Sequence, residues 1–259
     1  MKDNDNDQII YVKDENGDYV PEQDSYQRPK RSRVSTSLER RRRINFWVRF
    51  GILALIEAVA CFFMADIAVS PIPLVFAVIP AVITGILYGP ALGSSIGAVG
   101  GVATMLAWSI VRADSPIAFI YSPFVKGGGI ASLLVAVIPL ALAGLVAALL
   151  YTGISTMYEL RIAAKNAKKL WWHMPLIYVI CAATASLTYT LLNVTGIYLC
   201  FSHSFALALE INEGLVLVVL GGLILSKGLI ESLIAAASTT LVCVPFKYLK
   251  NKFQRKADN

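Results

Sequence analysis

Lys227 stands inside an apolar run that extends from Phe205 to Val244, with Glu231 four residues further on. An ionisable side chain in such a run is costly unless it meets a cavity or a partner. Two readings of the lysine follow: contact with a ligand, or an internal pair with Glu231 in the weaker Lys-before-Glu order. It lies 18 residues before Pro245, about 27 Å of helix at about 1.5 Å per residue, hence near the opposite end of a bilayer-length segment. Asn193, Tyr189 and Tyr198 close the preceding apolar run, Arg112, Tyr121 and Lys126 flank an earlier loop, and Trp108 stands one turn before that loop. Each alone fits an interfacial anchor. Together they would roof a cavity with aromatics and cations. Arg112, Lys126 and Lys227 would then suit a carboxylate or similar anionic group on a ligand, although Asp66, Asp114, Glu210 and Glu213 lie on the same side and could neutralise them.

Glu57 is the other ionisable group within an apolar run, about 16 Å in from Phe46 and so near mid-membrane. A protonated acid, a hydrogen bond inside the bundle and a contact with another subunit are all open for it. The remaining chemistry is sparse. His173 and His203 have no Cys or carboxylate at ligand spacing, so no metal site is expected. Cys61, Cys181, Cys200 and Cys243 are scattered through apolar runs as small hydrophobes, without disulfide or metal spacing. No HExxH, GxSxG or useful carboxylate pair points to an enzyme, and no G-x-x-x-x-G-K-[ST] loop could cradle ATP. No cofactor is expected.

The elements that must position these residues are membrane helices. Of 259 residues 56% are hydrophobic and 15% charged, with mean hydropathy +0.63, a membrane composition. Apolar runs are expected to form helices over Phe46–Val69, Leu74–Tyr88, Ala91–Val111, Ile130–Tyr151 and Trp172–Leu192, with a sixth ending at Pro245 whose start is not defined by the sequence. The second and third reverse at Tyr88-Gly89-Pro90, and Gly93, Gly97 and Gly101 recur at i, i+4 and i+8 on one face of the third. Such a stripe lets a neighbouring backbone approach closely.

Positive charge sets the orientation. With the N-terminus inside, fourteen Lys and Arg (Arg40–Arg43, Arg49, Arg161 to Lys169 and Lys247 onward) are cytoplasmic, against Arg112 and Lys126 outside. Six spans with both termini cytoplasmic satisfy every loop, and put Trp171 and Trp172 at the inner interface. The net charge of +6 therefore reports topology, not nucleic acid. Residues 1–44, acidic and then basic, form an expected disordered cytoplasmic tail, residues 45–250 the membrane domain, and 251–259 a short basic tail. The expected fold is a compact all-α bundle of six transmembrane helices.

In four features the chain resembles the substrate-binding S component of an energy-coupling factor (ECF) vitamin transporter. PIPLVFAVIPAVITGILYGPALGSSIGA, residues 71–98, resembles the helix 2–3 signature of the folate- and pantothenate-type branch. Ala54-Leu-Ile-Glu-Ala58 is similar to the AxxxA motif that contacts the coupling subunit. Leu225-Ser-Lys227-Gly228-Leu229 is similar to the opening of helix 6, with Ile224 where the family has Asn. The six-helix layout is the fourth. The resemblance covers about residues 46–250. It implies a non-enzymatic, multi-pass subunit of the bacterial plasma membrane that captures a vitamin or precursor at its outer face. Lys227, Asn193, Tyr189, Trp108, Arg112, Tyr121 and Lys126 are the candidate binding residues. Implied partners are a transmembrane coupling subunit, docked at Ala54 and Ala58, and two cytosolic ATPases. The alternative from another class is a stand-alone secondary transporter or channel, though no repeat between the two halves of the chain is evident.

Overall fold

A computed structural model describes residues 11–13, 19–21, 33–64, 77–165 and 173–257. The chain divides into two units, Met1–Trp47 and Val48–Asn259. In the first, β1 (Tyr11–Lys13) and β2 (Tyr19–Pro21) pair antiparallel, Val12 opposite Val20. Valine and tyrosine suit a pleated strand. α1 (Arg33–Met64) begins well before the expected first-helix start at Phe46. Leu38-Glu39 and the arginine run are straight-chain helix formers, so helix propensity carries the element past the apolar segment.

In the second unit the glycine hairpin forms as the sequence predicts. α2 (Val78–Tyr88) and α3 (Pro90–Ile110) meet at Gly89, whose φ of 97° lies in the left-handed region open to glycine. Pro90 takes the first helical position, where its missing N–H costs nothing. The glycine stripe of α3 then packs on α4 (Ile130–Lys165). A Cβ at Gly93 would reach the Gly144 carbonyl oxygen at 2.7 Å, one at Gly101 the Val137 Cα at 2.5 Å, and one at Gly97 would strike the backbone of Leu140 and Ala141. These are backbone-to-backbone contacts, the kind of packing that replaces hydrophobic drive in lipid.

The connection between α3 and α4 was expected to be a polar outer loop. It instead folds inward: Ile117, Ala118, Phe119, Ile120, Tyr121 and Ser122 are buried. The apolar run Ile117–Tyr121 drives this, and Ser132 Oγ pins it by donating to the Phe119 carbonyl at 2.6 Å. α4 continues beyond Tyr151, and α5 (His173–Ala208) beyond Leu192, each 36 residues long. The last apolar run resolves into α6 (Val216–Leu223), one π-helical turn over Ile224–Gly228, and α7 (Leu229–Ala257).

Among the described residues, five stretches are long and apolar enough to cross a membrane: Ile44–Phe62, Pro90–Ile110, Ile130–Ile162, His173–Ala208 and Glu213–Leu249. Val78–Tyr88 is a shorter apolar helix. Cys61, Cys181 and Cys243 are buried, whereas Cys200 is exposed. The expected first-helix end at Val69, second-helix start at Leu74, Asp66, Trp171 and Trp172 lie outside the described residues.

Candidate functional site

Two apolar clusters form the core of the larger unit, and a polar layer runs between them. Leu140, Ala143, Tyr178, Ala182, Ala185, Ala235 and Cys243 belong to one; Trp108, Val135, Ile197, Phe201, Val216 and Leu220 to the other. Along α5 the buried polar residues between the two sets are Thr190 and Asn193; along the last helical run they include Lys227 and Glu231. All four are buried.

α5 carries the layer. Thr190 and Asn193 are three residues apart and so share a face. Asn193 Nδ2 donates to the Val135 carbonyl of α4 at 3.3 Å, and its Oδ1 accepts from the Tyr121 hydroxyl at 2.8 Å. Tyr121 is supplied by the inward-folded connection, and its ring lies 5.0 Å from that of Trp108, centroid to centroid. Burial, and then the negative charge of Glu231, push its phenol above the ordinary range. The Asn193 amide thus ties three segments together, each polar atom of its side chain satisfied.

The second half of the layer is ionic. Lys227 Nζ lies 3.5 Å from Glu231 Oε1, with both side chains buried, and Thr190 Oγ1 donates to Glu231 Oε2 at 3.1 Å. Lys227 is held in the π turn, whose wider winding inserts a residue into the helical register. Gly228 completes the turn against α5: a Cβ there would press on Thr190 Cγ2 at 3.2 Å. The sequence left open whether Lys227 meets a ligand or Glu231; the geometry gives it Glu231 as counterion.

Of the seven candidate binding residues, Lys227, Asn193, Tyr189, Trp108 and Tyr121 are buried. Tyr121 contacts both Trp108 and Asn193, Lys227 pairs with Glu231, which Thr190 of the same α5 face holds, and Tyr189 lies in the neighbouring apolar cluster. Arg112 is half-buried, its guanidinium carbon 6.0 Å from the Trp108 ring centroid. Lys126 is exposed at the end of the connection and Tyr198 on the outer side of α5, neither of them in the layer. His203 pairs with Glu213 on the exposed surface, a carboxylate ten residues away that sequence spacing did not single out. Thr190 was also missed; its signal is its place one turn before Asn193.

Ala54 and Ala58 on α1 are half-buried. Between them Glu57 is fully buried, and neither of its carboxylate oxygens has a hydrogen-bond partner among the described residues.

The larger unit is thus an all-α bundle with, among the described residues, five stretches suited by length and composition to crossing a membrane, and with a polar layer through its core. No protein-family model and no curated protein matches the chain.

Proposed function

We propose that this protein is the substrate-binding S component of an ECF-type importer, taking up a vitamin or vitamin precursor at the outer face of the bacterial plasma membrane. The observation that carries the reading is the buried layer of Tyr121, Asn193, Thr190, Lys227 and Glu231, in which the Lys227 turn of the family-like segment Leu225–Leu229 is a π turn. Irregular helical turns of this kind recur at functional sites. In this reading α2 is the sixth span, both termini are cytoplasmic, and the layer lies toward the outer side of the bilayer. A ligand entering beneath the 111–129 connection would meet Trp108, Tyr121 and Asn193 first, and then the ion pair. Because Glu231 already compensates Lys227, the site offers a donor and an acceptor side by side, which suits a ligand bearing both an anionic and a hydrogen-bond-donating group. ATP-driven transport falls to a transmembrane coupling subunit and two cytosolic ATPases. The chain itself is not an enzyme.

The test is purification from native membranes without added substrate, followed by mass spectrometry of the small molecule released on denaturation. One vitamin-like compound, lost in Asn193→Ala, supports the reading. No co-purifying compound and no binding across a vitamin panel overturns it.

One observation favours a stand-alone carrier as the second reading: the break between α6 and α7 falls at a buried charge pair, as in transporters built on interrupted helices. Substrate flux into liposomes containing this chain alone would decide for the carrier.

A further inference from the structure

Lys227 has Glu231 as its counterion, but two cations near the opposite end of the bundle have no such partner. Arg49 lies five residues inside the apolar stretch Ile44–Phe62, and Lys247 two residues before the end of Glu213–Leu249. Both therefore stand at the level where a membrane gives way to water. Among the described residues neither meets a carboxylate. Each is set against an aromatic ring instead. The Arg49 guanidinium carbon is 5.9 Å from the Tyr88 ring centroid, and Lys247 Nζ is 5.2 Å from that of Tyr151, to whose hydroxyl it donates a hydrogen bond. A ring face attracts a cation without neutralising it.

The packing brings the two cations to one level. Tyr88 closes α2, and its ring meets that of Phe246, the neighbour of Lys247, at 6.3 Å. α2 and α4 run the same way, since both are antiparallel to α3, and a Cβ at Gly85 would stand 3.4 Å from Ala148 Cβ. Three residues further along each helix are Tyr88 and Tyr151. Tyr151 is fixed in turn by stacking on buried Tyr178, with ring centroids 5.6 Å apart and planes at 24°. α1 is thinly seated, its apolar stretch 11% buried against 56% for that of α3. It meets the bundle where Glu57 lies over Gly100 and again, about 12 Å along the helix, where Arg49 meets Tyr88. Held rings thus form a shelf that carries two uncompensated positive charges.

We propose that this shelf binds the headgroup of an anionic phospholipid. A phosphate oxygen accepts from the Lys247 ammonium, and Arg49 supplies the second positive charge, the pairing that basic sites between membrane helices offer to acidic lipids. Ile52 and Ile56 follow Arg49 on the same face of α1, at i+3 and i+7, and both are exposed. They give an acyl chain an apolar track leading from the headgroup toward mid-membrane. A free phosphate shares the chemistry of the headgroup but has no use for that track. A zwitterionic lipid brings its own ammonium group to the shelf and loses the charge match. In the six-span reading this end is cytoplasmic and the lipid belongs to the inner leaflet; the binding itself rests neither on that orientation nor on what the protein carries.

The experiment is native mass spectrometry of the full chain in mild detergent with equal amounts of dioleoyl phosphatidylglycerol and dioleoyl phosphatidylcholine. Expected is retention of phosphatidylglycerol over phosphatidylcholine by about tenfold or more. That preference should fall about tenfold in Lys247→Met and in Arg49→Gln, each of which removes one charge-assisted contact. Lys126→Gln, which removes an exposed cation of the 111–129 connection, should leave the preference unchanged. Equal retention of the two lipids, an unchanged preference in Arg49→Gln, or the same fall in Lys126→Gln would overturn the proposal, the last by reducing it to net charge. Glycerol phosphate added at the lipid concentration should displace nothing; displacement would make the shelf a site for soluble phosphates and refute the lipid. Arg49 is exposed, so Arg49→Gln decides the matter should Lys247→Met fail to fold: a reduced preference supports the site, and a preference retained refutes it.

Discussion

The pair Lys227–Glu231 gives the sharpest stability prediction. At 3.5 Å the contact is longer than the roughly 2.7–2.9 Å of a charge-assisted hydrogen bond, so it acts mainly through charge. At an effective dielectric of about 20, unit charges at that separation attract by about 5 kcal/mol. Desolvating two ions costs several kcal/mol each, which offsets that gain in full. The pair therefore adds little net stability, yet either partner alone is expensive. Lys227→Met leaves Glu231 buried without its cation, with the Thr190 hydroxyl still donating to it. Glu231→Met leaves an ammonium inside the bundle. Each single variant should lose about 3–5 kcal/mol. The double variant should lose no more than either single variant, so that the coupling energy is about 3 kcal/mol or more. The assay is unfolding of the purified protein in mild detergent, followed by circular dichroism with size-exclusion recovery as a second probe. If the two losses add to within about 0.5 kcal/mol, the residues do not act as a pair, and the account of the polar layer fails with them.

Gly144→Val should prevent folding or recovery from detergent, because its Cβ would enter the Gly93 backbone, while Gly222→Ala, with open space around it, should change stability by less than about 0.5 kcal/mol. Tyr121→Phe removes the hydroxyl that donates to Asn193 and should weaken ligand binding about five- to thirtyfold while costing roughly 1–2 kcal/mol of stability; titration calorimetry and thermal unfolding separate the two. Replacing Ala54 and Ala58 together by Leu should abolish co-purification with the coupling subunit and leave ligand affinity intact; the reverse outcome would make these alanines packing residues only. Reporter fusions at Glu210 and in the 111–129 connection should read outside and those at Asn259 inside, and an outside C-terminus would sink the six-span topology.

The helix-forming stretches and the glycine hairpin were legible because both rest on local chemistry: uninterrupted apolar runs, a Gly-Pro turn and glycines at helical spacing. Helix ends were less so. α4 and α5 run on past Tyr151 and Leu192, since residues such as Glu159, Leu160 and Arg161 are good helix formers and nothing in lipid-run length tells a helix to stop at the membrane surface. The site was half visible. Lys227 stood out as a charge in an apolar run, and Asn193 and Tyr121 as polar groups near its ends. What brings them together is the inward fold of the 111–129 connection, decided by tertiary burial of Ile117–Tyr121. The π turn that aims Lys227 at Glu231 could not be read either, because a one-residue change of helical winding leaves no mark on composition. Glu57 was conspicuous in sequence, but Gly100, the residue that makes room for it, was hidden beside the more regular stripe of its neighbours.

The mutual contact of Gly93 and Gly144 has a mechanical consequence. Where backbones touch with no side chains between them, there is no layer of rotamers that can re-pack to let one helix slide along the other. α3 and α4 must behave as a single stiff plate, with α2 fastened to it through Gly85. Any working motion of the bundle is left to the parts whose contacts are side-chain mediated: α1, thinly seated over Gly100, and the last helix, which carries its own joint at the π turn. The protein is built as a fixed slab with two movable flanks, and the two buried acids, Glu57 and Glu231, each sit on one of them.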